Sequence, residues 1–205
     1  MMFIEIFVPK DTLRPQQRQE LARRVGSVLE LTEGEGLHAG WTEVIGSLFQ
    51  VVLHEPETWV VDQQLLGSDS APRYLVRVYV PAPWRKDMSS HMISYITNVI
   101  RDIDDTPERF DTEPVVQVHV HGVSEGGIGL YGKPTGSEQI VELISAPYQQ
   151  ELENGQALED PLCGVVVPLN DDAVTLELDG TLYAFCCQDC SAEFQRKRAK
   201  AAAGS

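Results

Sequence analysis

Four cysteines carry the most pointed chemistry in this sequence. Cys163, Cys186, Cys187 and Cys190 form a C-x(22)-C-C-x(2)-C pattern, and no cysteine stands among the first 162 residues. Thiolates set three or four residues apart at a turn entering a helix can point at one centre. A further thiolate from a distant turn then closes a sulfur-rich site suited to zinc, copper(I) or a similar soft ion. Two other readings stay open. Reduced cysteine packs in cores as a small hydrophobe, and an even count permits disulfide pairing. The clustering favours metal over scattered core filling.

The surrounding residues sharpen this. The segment opens Asp160-Pro161-Leu162-Cys163-Gly164, passes through Leu178-Asp179-Gly180, and closes Tyr183-Ala184-Phe185-Cys186, then Cys190 and Phe194. With those residues at those spacings it resembles a YHS domain, one of the TRASH-like group of small metal-binding modules. The resemblance implies a treble-clef-like module over 160–198 with Cys163, Cys186 and Cys190 as metal ligands. Cys187 falls where that family has no ligand, so it stands as a fourth ligand, a spare thiol or a redox partner. Zinc and copper are both compatible with the resemblance.

The whole chain bounds what surrounds the cysteines. Its 205 residues suffice for one or two domains with real cores. A formal net charge of -15 argues strongly against a nucleic-acid binder, which needs net or local positive charge to meet phosphates. It equally disfavours anionic membrane surfaces. No apolar run approaches the roughly 20 residues of a membrane span. The opening Met-Met-Phe-Ile-Glu-Ile-Phe-Val has no basic leader or cleavage site, so no signal peptide is expected. Reduced thiols then point to the cytoplasm.

The elements that must position the cysteines come as a repeat. Residues 2–9 read as a strand ended by proline, and residues 15–30 as a helix with Leu21, Ala22, Val25, Val28 and Leu29 on its apolar stripe. Gly34 and Gly36 break that pattern, and a second strand follows over 47–55. Residues 57–66 read as a short strand or extended arm, and 67–72 as a linker. The plan then recurs. A strand over 73–81 precedes a helix over 87–104, whose stripe is Met88, Met92, Ile93, Ile96, Val99, Ile100 and Ile103. An alternating strand covers 115–121. Each β-α-β unit demands parallel pairing of its strands. Residues 146–159 are polar and acidic, read as a linker or a helix leading into the cysteine module.

The tandem units and the Glu125-Gly126-Gly127-Ile128-Gly129-Leu130-Tyr131-Gly132-Lys133 tail resemble the 4-oxalocrotonate tautomerase family, with copies over about 2–66 and 73–145. The resemblance implies an α+β fold over 1–145, a β sheet with helices on one face, and assembly as a trimer. That family works through an amino-terminal proline acting as base or nucleophile. Here Met2 stands at the first position and Tyr74 at the second, while Pro72 is an internal amide. Arg14 and Arg85 are only approximate counterparts of its arginine. The family's own activity is therefore not expected.

Other candidates are weaker. His119 and His121 share one strand face and could bind metal, or simply form a polar face. His54 is placed by pseudo-symmetry near that pair or its equivalent in another subunit. None of these histidines, His38 and His91 included, has an obvious catalytic partner in the sequence. The Gly126-Gly127-x-Gly129 run precedes no helix and reads as a tight turn, not a phosphate cradle. Trp41, Trp59 and Trp84 read as core or interface anchors. Three functions compete: a metal-binding accessory protein on an oligomeric scaffold, serving a partner metalloenzyme; a tautomerase-scaffold enzyme acting on a small carbonyl acid without the proline; and a docking scaffold.

Overall fold

The computed structural model describes residues 2–31, 39–171 and 173–203. In chain order, strand β1 (Met2–Phe7) leads into helix α1 (Pro15–Val25), short helices α2 (Val28–Leu31) and α3 (Ala39–Ser47), and strand β2 (Phe49–His54). A small hairpin of β3 (Val60–Val61) and β4 (Gln64–Leu65) precedes strand β5 (Tyr74–Pro81), helix α4 (Arg85–Ile103) and strand β6 (Val116–Val123). A second hairpin pairs β7 (Ile128–Leu130) with β8 (Lys133–Thr135). Helices α5 (Ser137–Ser145) and α6 (Gln149–Glu153) follow, then strands β9 (Ala157–Glu159), β10 (Val166–Pro168), β11 (Val174–Leu178) and β12 (Thr181–Phe185), and helix α7 (Gln188–Ala203). Gly34, Gly36, His38 and the Trp41 side chain lie outside the described residues. No described helix is long and apolar enough to cross a membrane.

The chain divides into two compact units. One gathers the residues up to Ser27 with Leu48–Ser137; the other holds α2, α3 and the residues from Glu138 onward. The residues read from composition as a linker, 146–159, carry α6 and β9, with Tyr148 and Ala157 buried against Val166.

The first unit is built on a four-stranded sheet in the order β2-β1-β5-β6. β1 pairs with β2 in parallel, β5 with β6 in parallel, and β1 with β5 antiparallel. Both repeats thus show the parallel pairing that their crossovers demand. Alternation sends Ile4, Ile6, Val76 and Val78 to one face, where each is fully buried. That face is covered by α1 on β2 and α4 on β6, and the two helices also touch each other. Leu21, Val25, Met92, Ile96 and Ile100 complete the core. The other face carries Phe3, Glu5, Phe7, Leu75, Arg77 and Tyr79, partly exposed. Burial on one face only is what an amphipathic strand pattern allows.

Two expectations need correction. The helix expected over 15–30 stops at Val25, and α2 starts afresh at Val28. Gly26 explains the break. It caps α1 through its N–H to the Ala22 carbonyl, and a Cβ there would stand 3.3 Å from Val51 Cγ2 on β2 and 3.0 Å from the Ala22 oxygen. The helix end therefore lies close against the sheet edge, where a side chain would crowd it. On α4, Ile93 falls off the buried stripe and is 42% exposed, while Met92 and Ile96 beside it are fully buried. Its angular position is one residue past Met92, about 100° round the helix.

A buried polar network ties the start of β5 to the end of α4. The Tyr74 hydroxyl donates to Asp104 Oδ2 at 3.0 Å, and Arg109 Nη2 donates to the same oxygen at 2.8 Å. Thr106 donates its N–H and hydroxyl to Asp104 Oδ1, and Arg109 also reaches the Pro72 carbonyl. Burial pushes the Tyr74 hydroxyl pKa well up, and the Asp104 charge adds to it. Burial opposes ionisation of Asp104, but hydrogen bonds from Arg109 and Thr106 outweigh it and hold its pKa below the usual value. Removing one partner of a buried ion pair strands the other charge. Asp104→Ala is expected to destabilise this unit by about 3–5 kcal/mol. Tyr74→Phe, which strands no charge, is expected to cost about 1–2 kcal/mol. Urea unfolding followed by circular dichroism measures both, and equal losses would contradict the charge-centred account.

Candidate metal centre

The site begins at a turn between two three-residue strands. β9 pairs antiparallel with β10, and Asp160-Pro161-Leu162-Cys163-Gly164 closes the turn between them. The Gly164 N–H donates to the Asp160 carbonyl at 2.8 Å, and the Asp160 N–H to the Val165 carbonyl at 2.8 Å. Gly164 sits at φ +77°, a conformation that a side chain disfavours. Asp160 is 1% exposed, and its Oδ1 accepts from the Leu162 N–H at 2.8 Å and the Cys163 N–H at 3.4 Å. The tight turn therefore lifts Cys163 to one side with its backbone already held.

The second half comes from a hairpin and a helix. β11 and β12 pair in register around Asp179 and Gly180, both at positive φ, as a two-residue Asp-Gly turn requires. Phe185 at the end of β12 is 1% exposed and packs on Phe194 of α7, with ring centroids 5.3 Å apart; Tyr183 meets the same ring at 4.9 Å. Those contacts set the helix against the hairpin. They place Cys186 just past β12, Cys187 immediately before α7, and Cys190 in its first turn.

The two halves meet through Asp160. Its Oδ2 accepts the Cys186 N–H at 2.8 Å, so one carboxylate grips both segments. The Cys186 sulfur then lies 3.5 Å from Cys163 Sγ, 3.4 Å from Cys190 Sγ and 3.7 Å from Cys187 Sγ. A disulfide would bring two sulfurs to roughly 2.05 Å, and all four cysteines are free. Tetrahedral thiolates at zinc, with bonds of about 2.3 Å, stand roughly 3.8 Å apart. Donor atoms of Asp160, Cys163, Cys186 and Cys190 all lie within 4.8 Å of one another, and these residues could hold a metal ion. They are the sole such group among the described residues.

The thiols are unequal. Hydrogen bonding to Cys186 and Cys190 pulls the Cys163 pKa down to about 5, against the cost of burial. Cys187 is drawn down to about 3 by Cys186 and Cys190, helped by the backbone N–H groups of Cys190 and Asp189 at the start of α7. Cys186 and Cys190 are pushed up, each first by its hydrogen bond with Cys163.

Among the described residues, His54, His119 and His121 are not part of this group. His119 and His121 share a face of β6, with ring centroids 6.2 Å apart, and His121 stacks on Tyr79 at 5.2 Å. His54 stacks on Phe7 at 4.5 Å, and its Nε2 lies 3.2 Å from Glu5 Oε1. His54 is on β2 and the pair on β6, opposite edges of the sheet. Three strand spacings, about 14 Å, separate them, so the expected proximity within one chain is not found. Asp160 is the functional residue that the cysteine pattern alone did not single out. The signal was present as an aspartate three residues before a cysteine, able to bond the N–H two residues on.

No family model matches the chain, and no curated protein matches it. Solved structures do. The structure of Pt0534 inactivated by 2-oxo-3-pentynoate aligns with a TM-score of 0.50 at 14% identity, over 67% of this chain and 98% of that one. Native Ps01740 gives 0.45 at 19%, over 62% and 99%. Native fused 4-OT gives 0.46 at 13%, over 64% and 94%. The first of these likenesses bears on the fold alone. The molecule is an α+β protein with a double β-α-β unit that shares its fold with the Pt0534 structure, and with a C-terminal group of Asp160 and cysteines that could hold a metal ion.

The unequal thiols give an expected labelling order. At neutral pH Cys163 and Cys187 are thiolates in the metal-free protein, so iodoacetamide should label them before Cys186 and Cys190. Both pKa values are depressed, so reactivity is present above them. Labelling of Cys163 should fade as pH drops through about 5, while Cys187 keeps reacting to about 3. Peptide mass mapping reads the order; uniform labelling of all four would contradict it.

Proposed function

We propose that this chain is a metal-binding protein in which Cys163, Cys186 and Cys190 hold a soft ion, zinc or copper(I), within a YHS-like module spanning 160–198. The observation that carries this reading is the meeting of those three sulfurs at one point with the Asp160 carboxylate binding both of their segments. The YHS likeness of the quoted motif residues supports it, with Cys163, Cys186 and Cys190 at the ligand positions of that family. Three thiolates beside a carboxylate leave less uncompensated charge around a divalent than a monovalent ion, which favours zinc.

The double β-α-β unit of residues 1–145 serves in this proposal as a self-associating scaffold, a trimer by its family likeness. Its half-exposed sheet face with Phe3, Phe7 and Tyr79 is the surface such a trimer would cover. The assembly presents the metal module to a partner metalloenzyme in the cytoplasm. The catalytic alternative finds little support. Met2 stands at the start of β1. Tyr74 stands at the start of β5, its hydroxyl committed to buried Asp104. No basic amine is offered by either side chain.

Anaerobically purified protein should carry one zinc or copper ion per chain by elemental analysis. Cys163→Ser should lose most of it. A wild-type chain that neither retains nor takes up metal would overturn the proposal. Enol–keto conversion of phenylpyruvate should run no faster than the uncatalysed blank; clear turnover would return the enzyme reading.

A further inference from the structure

We propose that Cys163 and Cys186 are the reactive pair of a thiol–disulfide switch, closing a disulfide across the site when an oxidant reaches the module without its ion. Covalent bond and metal ion are then alternative cross-links at one place. That exclusion rests on the metal-binding reading above; the bond itself does not.

Cys186 is the sulfur that the others share. Cys163 Sγ stands 3.5 Å from it, Cys190 Sγ 3.4 Å and Cys187 Sγ 3.7 Å. The backbone around each partner tells them apart. Cys187 is the chain neighbour of Cys186, joined to it by a trans peptide. Cα atoms across such a peptide stand about 3.8 Å apart, short of the roughly 4.4–6.8 Å that disulfides span. Cys190 belongs to the first turn of α7, which Phe194 seats against Phe185 and Tyr183. Drawing its sulfur to bonding distance shifts the helix on that seat. Cys163 lies instead in the irregular turn before β10, and Cys186 in the bend between β12 and α7. Closing their 3.5 Å to roughly 2.05 Å moves those two segments and breaks no strand pairing or helical turn. Asp160 accepts the N–H of both residues, so the protein itself holds their main chains together.

Cys163 is half-buried and Cys186 is buried, so an entering oxidant meets Cys163 first of the pair. With hydrogen peroxide, the Cys163 thiolate attacks one oxygen, the O–O bond breaks and hydroxide leaves. The Cys186 thiol then attacks the sulfenic sulfur. The S–S bond forms as the S–O bond breaks, and the thiol proton leaves with the oxygen as water. Two electrons pass from the sulfurs to the peroxide. A bond formed first at Cys190 moves to Cys163 when the Cys163 thiolate attacks the Cys186 sulfur and Cys190 leaves as thiolate. A dithiol reductant reverses the closure. Only thiolates ligate the ion, so the closed pair withdraws both sulfurs from it.

The test treats the full chain, reduced and stripped of metal by a chelator, with equimolar hydrogen peroxide. Remaining thiols are alkylated with iodoacetamide, cross-linked peptides are mapped by mass spectrometry, and zinc uptake is measured by elemental analysis. A Cys163–Cys186 cross-link with Cys187 and Cys190 alkylated is expected, with zinc uptake lost and then restored by dithiothreitol. Cys190→Ser should still close the bond, whereas Cys163→Ser should not give it; circular dichroism checks that both variants fold. A dominant Cys186–Cys190 or Cys186–Cys187 cross-link would overturn the inference. So would sulfinic or sulfonic acids without a cross-link, or unchanged zinc uptake by the cross-linked chain. A reduced wild-type chain that takes up no zinc would instead remove the metal-binding reading, while the mapped bond still decides between the pairings.

Discussion

One buried carboxylate organises the cysteine cluster. Asp160 accepts three backbone N–H groups, two from its own turn and one from Cys186, 26 residues on. Hydrogen bonds to a charged acceptor are worth roughly 1.5–3 kcal/mol each, and here they also set position. The turn over 160–164 and the end of β12 have no continuous ladder between them; β10 pairs with β9, and β12 with β11. The carboxylate is what brings their sulfurs into register. Its charge also opposes ionisation of Cys163. An arrangement that gathers thiols and a carboxylate away from water raises its own electrostatic cost, and a bound cation is the species that repays it.

The same kind of group is used differently in the double β-α-β unit. There Asp104 is also almost fully buried, but Arg109 neutralises it within the chain and Tyr74 fills the remaining lone pair. In that network charge meets charge, although the buried Arg109 Nε is left without a hydrogen-bond partner. The network occupies the start of β5 with structural bonding. Glu5 on the open sheet face shows an intermediate case, shared between the Tyr79 hydroxyl and His54. The cysteine cluster differs from both in that its carboxylate, Asp160, is met by backbone N–H groups rather than by a side chain.

Much of this was legible from residue order. Strand alternation and the helical spacing of Met92, Ile96 and Ile100 revealed both β-α-β units, since those periods reflect which side chains share a face. The cysteine spacing likewise announced three sulfurs able to meet. What stayed hidden depends on contacts distant in the chain. Gly26 ends α1 because Val51 of β2 lies against it, and no local propensity encodes that neighbour. Ile93 is apolar yet outward-facing, a common exception because folded surfaces retain much apolar area. His54 and the His119–His121 pair were linked through pseudo-symmetry. Strand order, however, places the two outer strands at opposite edges, with the repeat starts paired in the middle. Asp160 was visible as a motif residue, but its grip on Cys186 is a tertiary fact.

The contrast in construction also explains why a metal would matter in one unit and not the other. An 11-residue and a 19-residue helix on a four-stranded sheet bury a broad apolar layer, which suffices without a staple. Around the cysteines the strands are three to five residues long. The packed groups there are small: Tyr148, Ala157, Val166 and Leu152 in one cluster, with Phe185 and Phe194 in another contact. Modules of that size gain much of their stability from cross-links. An ion bound by segments that meet only in the folded state binds that state in preference, so its binding free energy becomes folding free energy. A single fixed ion would then lock the module.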